Sequence, residues 1–383
     1  GVKITAKQVV SAIRGKRGTF VDLVVQRGLT KSTKRIERDK ITVNSIPVAY
    51  LINPSTGYIK IDRFGARTSE DFSIAVNKLK KKGMKSLILD LRGNGGGYLN
   101  AATSLADQFL PDKKLIVYTK GAHEPRTDYY ATAEGNFEQG KLCILIDENS
   151  ASASEIVAGA GQDLDRGVIV GRRSFGKGLV QEQFDFGDGS VLNLTIARYY
   201  TPSGRSIQKP YSAGNETYFN ELHERYTNGE ITSDKSKDLA YGKERVYKTA
   251  AGKPVYGGGG IMPDIHVPVD TTASTGLYRR LYTTGVFSEF VYGVLARQVK
   301  PQSSMEAFLS SYTVTEEQFR NLLIAARARK IAIEEKDVRL SKGEIKKGMK
   351  ALLAQYLYGD EGYFRVINSG DQTLMKAIVS LNK

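Results

Sequence analysis

The chain has 383 residues, 40% of them hydrophobic and 25% charged, which is ordinary for a globular protein and long enough for two or three domains. No apolar run is long enough for a transmembrane helix, and the single cysteine, Cys143, excludes a disulfide framework without separating cytosol from periplasm. The net charge of +15 is spread over 31–38, 78–85, 166–173 and 342–350, with no Trp and no aromatic-interleaved basic motif, so it reads as a solvated, envelope-facing surface and argues against a nucleic-acid partner.

No signal peptide opens the sequence, and Gly1 reads as the scar of a removed tag; any targeting segment lies outside these residues. Residues 2–28 read as strand, helix, strand, with Thr5 capping a helix whose apolar face is Val9, Val10 and Ile13. That piece is too short for a core of its own. Residues 31–40 read as a charged connector, followed by strands at 41–52 and 57–62 around an Asn-Pro-Ser-Thr-Gly turn. A helix follows with Phe72, Ala75, Val76 and Leu79 on one face, a loose capping box at Thr68 and Asp71, Gly83 as its stop and Lys80–Lys82 at its negative end.

Residues 86–91 are apolar enough to be buried on both faces, as strands of parallel sheets are. The sequence then runs through the glycine turn 92–97, a helix near 100–110, a strand at 114–118, a loop past His123 and Arg126, a strand at 142–147, a helix at 152–164 and a strand at 168–171. That alternation predicts right-handed crossovers and a parallel-rich α/β core. Residues 180–186 and 191–199 read as an antiparallel hairpin attached to that sheet. A polar, Gly- and Tyr-rich insertion at 209–260 is expected to fold over the core, and 261–267 to return to it. Helices at 277–295, 315–328, 342–358 and 372–381 form a C-terminal module.

The chemistry concentrates at Ser150, Ser152 and Ser154, where the apolar run 142–146 gives way to a helix that starts at the serines. A serine at a strand-to-helix turn gains from free backbone N–H groups and the positive end of the helix dipole. No histidine is close in sequence, which leaves Lys177, in Ser-Phe-Gly-Lys-Gly, as the candidate base. Lysine acts as a base only when neutral, so its pKa of ~10.4 has to fall toward neutrality, at about 3–4 kcal/mol. Burial among Phe175, Leu179 and Val180 would supply that, the flanking glycines allow close approach, and Gln181 could orient the amine without charging it. Oxyanion donors are offered by the N–H of Ala153 and by the Gly95-Gly96-Gly97 turn, both at carboxyl ends of strands. Local pattern leaves a plain helix cap and a plain turn as open alternatives. His123, His223 and His266 lack metal-ligand spacing, Asp90 reads as a structural partner of the glycine turn, and 257–260 precedes no clear helix that would make it a phosphate loop.

Several dispersed stretches, LILDLRGNGGG, ENSASASEIVAGAGQD, VIVGRRSFGKGLVQ, RYYTPSGRSIQ and GGIMPDIHV, closely resemble the core of the C-terminal processing peptidases, or tail-specific proteases, between Leu87 and Val267. The resemblance implies a crotonase-like (ClpP/crotonase) α/β core over 38–275 and a serine endopeptidase that needs no metal or cofactor. By position in those motifs Ser152 is the nucleophile, Lys177 the base, Gln181 its helper, and Ala153 with Gly95 or Gly96 the oxyanion hole; Ser150 and Ser154 become packing residues. The segment RGKRGTFVDLVVQRG is similar to the end of a PDZ domain, so 1–37 is expected to be the C-terminal part of one, without its peptide-carboxylate loop. Substrates with apolar C-termini, a bacterial periplasm or envelope, and assembly or adaptor binding through 276–383 follow as expectations. The alternative from another class is a silent scaffold of the same fold that holds protein tails or an apolar ligand.

Overall fold

In a computed structural model the chain forms two compact units, Gly1–Asn44 and Ser45–Lys383. The structure describes residues 4–41, 44–234 and 245–382, so the start of the first expected strand and part of the 209–260 insertion lie outside the described residues.

In the first unit, helix α1 (Ala6–Ile13) begins at a capping box in which Gln8 N donates to Thr5 Oγ1 (3.3 Å) and Thr5 N to Gln8 Oε1 (2.8 Å). Strands β1 (Phe20–Arg27) and β2 (Thr30–Glu37) pair antiparallel. The stretch expected as a charged connector is therefore mostly strand: the ladder is made by backbone groups, and the basic side chains stand out into water. Phe20 and Val24 remain 50% and 68% exposed, since one helix and one hairpin bury little.

The second unit runs β3 (Val48–Asn53), β4 (Thr56–Lys60), α2 (Thr68–Lys81), β5 (Ser86–Asp90), α3 (Leu99–Asp107), β6 (Leu115–Lys120), β7 (Thr127–Tyr130), β8 (Lys141–Ile146), α4 (Ala153–Asp163), β9 (Val168–Gly171), β10 (Leu179–Asp185), β11 (Val191–Tyr200), α5 (Asn215–Thr227), β12 (Val246–Lys248), β13 (Pro254–Tyr256) and β14 (Ile265–His266). The main sheet has six strands in the order β14-β9-β8-β5-β4-β3, parallel except for β3. Alternation sorts its two faces. Leu142, Ile144 and Ile146 of β8 pack with α2, α3 and α4, whereas Cys143 and Leu145 pack with Leu374, Ala377 and Leu381 of the last helix, Gln372–Leu381.

Two expectations are corrected here. The strand at 115–120 and the hairpin β10–β11 do not extend the parallel sheet; with β7 they form a separate antiparallel sheet in the order β10-β11-β6-β7. Their pattern has the right period, but period does not name a partner. Thr68 does not box the start of α2; its hydroxyl accepts the Gly65 N–H at 2.9 Å instead. Asp90 partners the start of the glycine turn, as expected: its Oδ1 accepts the Arg92 N–H at 2.9 Å. Its carboxylate binds Tyr58 Oη (2.7 Å) and Arg92 Nη2 (2.7 Å), and Arg92 Nη1 reaches Asp371 (2.7 Å) at the start of the last helix. Burial works to raise the Asp90 carboxyl, but Arg92 and Lys60 outweigh it and hold it well below the carboxylate range.

The C-terminal helices build a second cluster around Leu281, Phe287, Phe308, Leu322 and Met349. The run expected at 277–295 is broken after Thr283 by Gly285 and closes in a π-turn, Val291–Leu295. The helix expected at 342–358 spans Glu335–Asn368, kinked at Gly359, whose φ of 74° suits glycine. No break in compactness falls at 275/276, because the final helix forms a layer of the main sheet.

Candidate active site

Strand β8 ends in the turn 147–152 and helix α4 begins at once. Ser152 stands between them with φ 55° and ψ −112°, a backbone region costly for a residue with a side chain. The surrounding polar groups hold it there. Asp147 Oδ1 accepts Gly93 N (2.9 Å) and Asn149 N (3.0 Å), while Ser150 Oγ donates to Leu91 O (2.9 Å). Asn94 O accepts Ala151 N (3.0 Å) and Ser154 Oγ (2.9 Å). Ser150 and Ser154 are thus buried staples between the serine turn and the glycine turn, and Ser152 alone of the three is partly exposed.

Gly96 has φ 100°, and a Cβ there would lie 2.7 Å from Ala151 O and 2.8 Å from Ser152 Cβ. Its role is close approach. Its N–H, expected as an oxyanion donor, is committed to Asn94 Oδ1 at 2.8 Å, which corrects that expectation. The N–H groups of Gly95 and Gly97 have no hydrogen-bond partner among the described residues, and Gly97 lines the cavity beside Ser152. The Ala153 N–H opens the helix and so has no intrahelical acceptor.

Twenty-five residues downstream of Ser152, Lys177 reaches the same cavity, about 250 Å3, which Ser152, Ala153, Gln181 and Tyr199 also line. Lys177 is half-buried, less enclosed than its apolar neighbours suggested. Its Nζ donates to Gln181 Oε1 at 3.3 Å, helped by a register shift between Val180 and Gln181 that turns the glutamine back. Among the described residues Lys177 has no ion pair, and no hydrogen bond joins it to Ser152.

Two residues that sequence reasoning missed hold the pair together. Glu155, fully buried, accepts Ser152 N (2.8 Å) and Lys177 N (2.9 Å) on Oε2, and Ser174 Oγ (2.5 Å) and Gly176 N (2.7 Å) on Oε1. Burial pushes its pKa up to about 7 against the pull of these hydrogen bonds. The buried Tyr199 hydroxyl lies within hydrogen-bond reach of Ser152 O (3.1 Å) and of Lys177 O. A glutamate three residues into a serine-started helix reads as a capping box, which was the available signal and points only to local structure. Behind Lys177, Arg173 is clamped to Glu230 (2.7 Å) and Arg225 Nε donates to the same carboxylate (2.9 Å), which fixes α5 and its following turn against the approach to the lysine.

A serine held in a strained strand-to-helix turn, beside an uncommitted helix-start N–H and a lysine without a counter-ion, is the equipment of a serine-type peptidase domain. Residues 55–214 match peptidase family S41, and this part of the chain is similar to the C-terminal processing peptidases. Similar relatives include a "Probable CtpA-like serine protease" from Staphylococcus epidermidis and one from Staphylococcus aureus, each 37% identical over 203 residues, or 52% of this chain and 40% of the relative. The match thus spans 40% of the length of those relatives. Among solved structures, a photosystem II D1 C-terminal processing protease aligns with TM-score 0.40 at 31% identity, covering 53% of this chain and 57% of that one. Residues 277–359 match a family of unknown function. No helix among the described residues is long and apolar enough to cross a membrane.

Proposed function

We propose that this chain is an endopeptidase of the C-terminal processing type, acting through a Ser152–Lys177 dyad on protein substrates with apolar C-termini. The observation that carries the reading is the backbone of Ser152, strained at φ 55° and facing a cavity that Lys177 and Gln181 share. Ser152 Oγ attacks the scissile carbonyl and passes its proton to Lys177 Nζ, which returns it to the leaving amine; water then hydrolyses the acyl-enzyme by the same relay. Gln181 holds the amine in place, and the N–H of Ala153 with that of Gly95 or Gly97 receives the oxyanion. In this reading 38–275 is a crotonase-like core, 1–37 is the end of a PDZ-like domain, 276–383 serves assembly or adaptor binding, and the protein works in a bacterial envelope. It needs no metal or cofactor.

Comparing wild type with Ser152→Ala and Lys177→Ala on an unfolded protein with an apolar C-terminus tests the dyad. Both variants should lose at least about 10³-fold in kcat/KM. Variants that cleave as fast as wild type remove the assignment. A second reading, a catalytically silent protein that holds tails, draws on the Lys177–Gln181 bond, which engages the amine away from Ser152. Phosphonylation of Ser152 by a fluorophosphonate probe, with fluoride displaced, lost on Lys177→Ala, decides against silence.

A further inference from the structure

A cavity of about 610 Å3 lies in the helical region, between the arms of the kinked helix Glu335–Asn368 and the segment 309–314. Leu309, Tyr312, Val314 and Val366 give it apolar walls. Four cations line it as well, and they are not equivalent. Lys346 is paired with Glu316 (2.8 Å), and Arg365 is paired with Glu361 (2.8 Å) and stacked over Tyr50. Lys347 and Lys350 have no ion pair among the described residues. Both are half-buried, and the Lys350 Nζ donates only to the Leu309 carbonyl, at 2.7 Å. Burial holds the Lys350 ammonium below the ordinary lysine range; its Nζ lies 5.9 Å from the centre of the Phe308 ring, and no carboxylate pairs with it among the described residues. Gly343 occupies the interior of the helix on the same wall, where glycine is unfavourable, and a Cβ there would meet nothing within 4 Å.

We propose that this cavity binds the free carboxylate at the end of an apolar peptide. Two uncompensated point charges suit a single carboxylate, and the walls suit an apolar body behind it. A phosphate group would favour an arginine fork or a nest of backbone N–H groups, and the one arginine here is already engaged by a carboxylate. The peptide source rests on the peptidase reading: each cleaved peptide bond leaves a new C-terminal carboxylate on the upstream product. The cavity chemistry does not depend on it.

The full chain carrying Ser152→Ala, which binds without turnover, is titrated by fluorescence anisotropy with a fluorescein-labelled hexapeptide ending in Leu-Ala-Ala. The free acid should bind at least tenfold more tightly than the same peptide amidated. Lys347→Met with Lys350→Met should erase that difference, and Gly343→Phe, which fills the cavity with all charges kept, should abolish binding. Should the double variant fail to fold by circular dichroism, Gly343→Phe decides, because it replaces glycine by a better helix former. Equal binding of acid and amide, or unchanged acid binding in Gly343→Phe, overturns the proposal. Oleate that binds tighter than the peptide and displaces it also overturns the peptide assignment. Cleavage of unfolded casein by the chain with Ser152 intact reports separately: casein cleavage without acid-selective binding sinks this site alone, and acid-selective binding without cleavage upholds it while the peptidase reading falls.

Discussion

Glu155 shows how one side chain can hold both members of the proposed dyad in place. Its carboxylate gathers four donors from two loops, including the peptide N–H groups of Ser152 and Lys177. It is buried, and burial raises its pKa to about 7. An acid whose pKa is higher folded than unfolded binds its proton more tightly in the native state. Its contribution to stability is therefore full below about pH 4 and is lost as pH climbs from about 4 to 7. The ionised form is the one that accepts all four donors, so order at the dyad is gained over the range in which stability falls. The acid limb of the kcat/KM profile should accordingly show an apparent pKa near 7. Glu155→Gln should lower kcat about 10²-fold, as expected when reacting groups are misplaced and not removed, and take the ionisation near 7 out of that limb, leaving the limb that the base Lys177 itself imposes. An acid limb with an unchanged apparent pKa near 7 in Glu155→Gln would sink this role.

At the scale of elements, the proposed site depends on two turns meeting back to back. The β8–α4 turn presents Ser152, and the glycine turn after β5 packs against it through Gly96. Gly96→Ala should cost about 1–3 kcal/mol of stability and more than about 10²-fold in kcat/KM, because the new methyl collides with backbone and with Ser152 itself. Gly93→Ala is the control. Its φ is also positive, 70°, but a Cβ there meets nothing within 4 Å, so it should lower stability by about 1 kcal/mol and spare activity. Equal kinetic losses in the two variants would show that backbone strain, not contact with the serine turn, sets the requirement. The serine turn and the glycine turn were both legible from sequence, because apolar strands 86–91 and 142–146 run straight into small residues. Their contact was not, since nothing local states that β5 and β8 are neighbours. Glu155 was illegible for the same reason: its donors Ser174, Gly176 and Lys177 arrive from a loop about twenty residues away.

At the scale of the molecule, the last helix, Gln372–Leu381, covers the second face of the sheet, and Arg92 joins Asp371 at its start to the end of β5. Leu374, buried against Cys143 and Leu145, is its anchor. Leu374→Ala should destabilise the unit by about 2–5 kcal/mol and lower Tm by several degrees. A Tm within a degree of wild type would mean that the final helix is dispensable to the sheet.

The sequence by itself determined the alternation that builds a parallel α/β core, the three serines at a strand-to-helix junction, and the glycine-flanked lysine with a glutamine four residues on. Those are properties of periodicity, of residue size and of local hydrogen-bonding capacity, all of which act over a few residues. The tertiary structure alone decided which strands share a sheet, that the C-terminal helix belongs to the core, that Gly96 gives space while its N–H is spent on Asn94, and that Glu155 and Tyr199 bind Ser152 and Lys177 to each other. Each of those outcomes rests on contacts between groups far apart in sequence. Their energies come from burial and from pairing of polar groups, and both exist only once the chain has closed on itself.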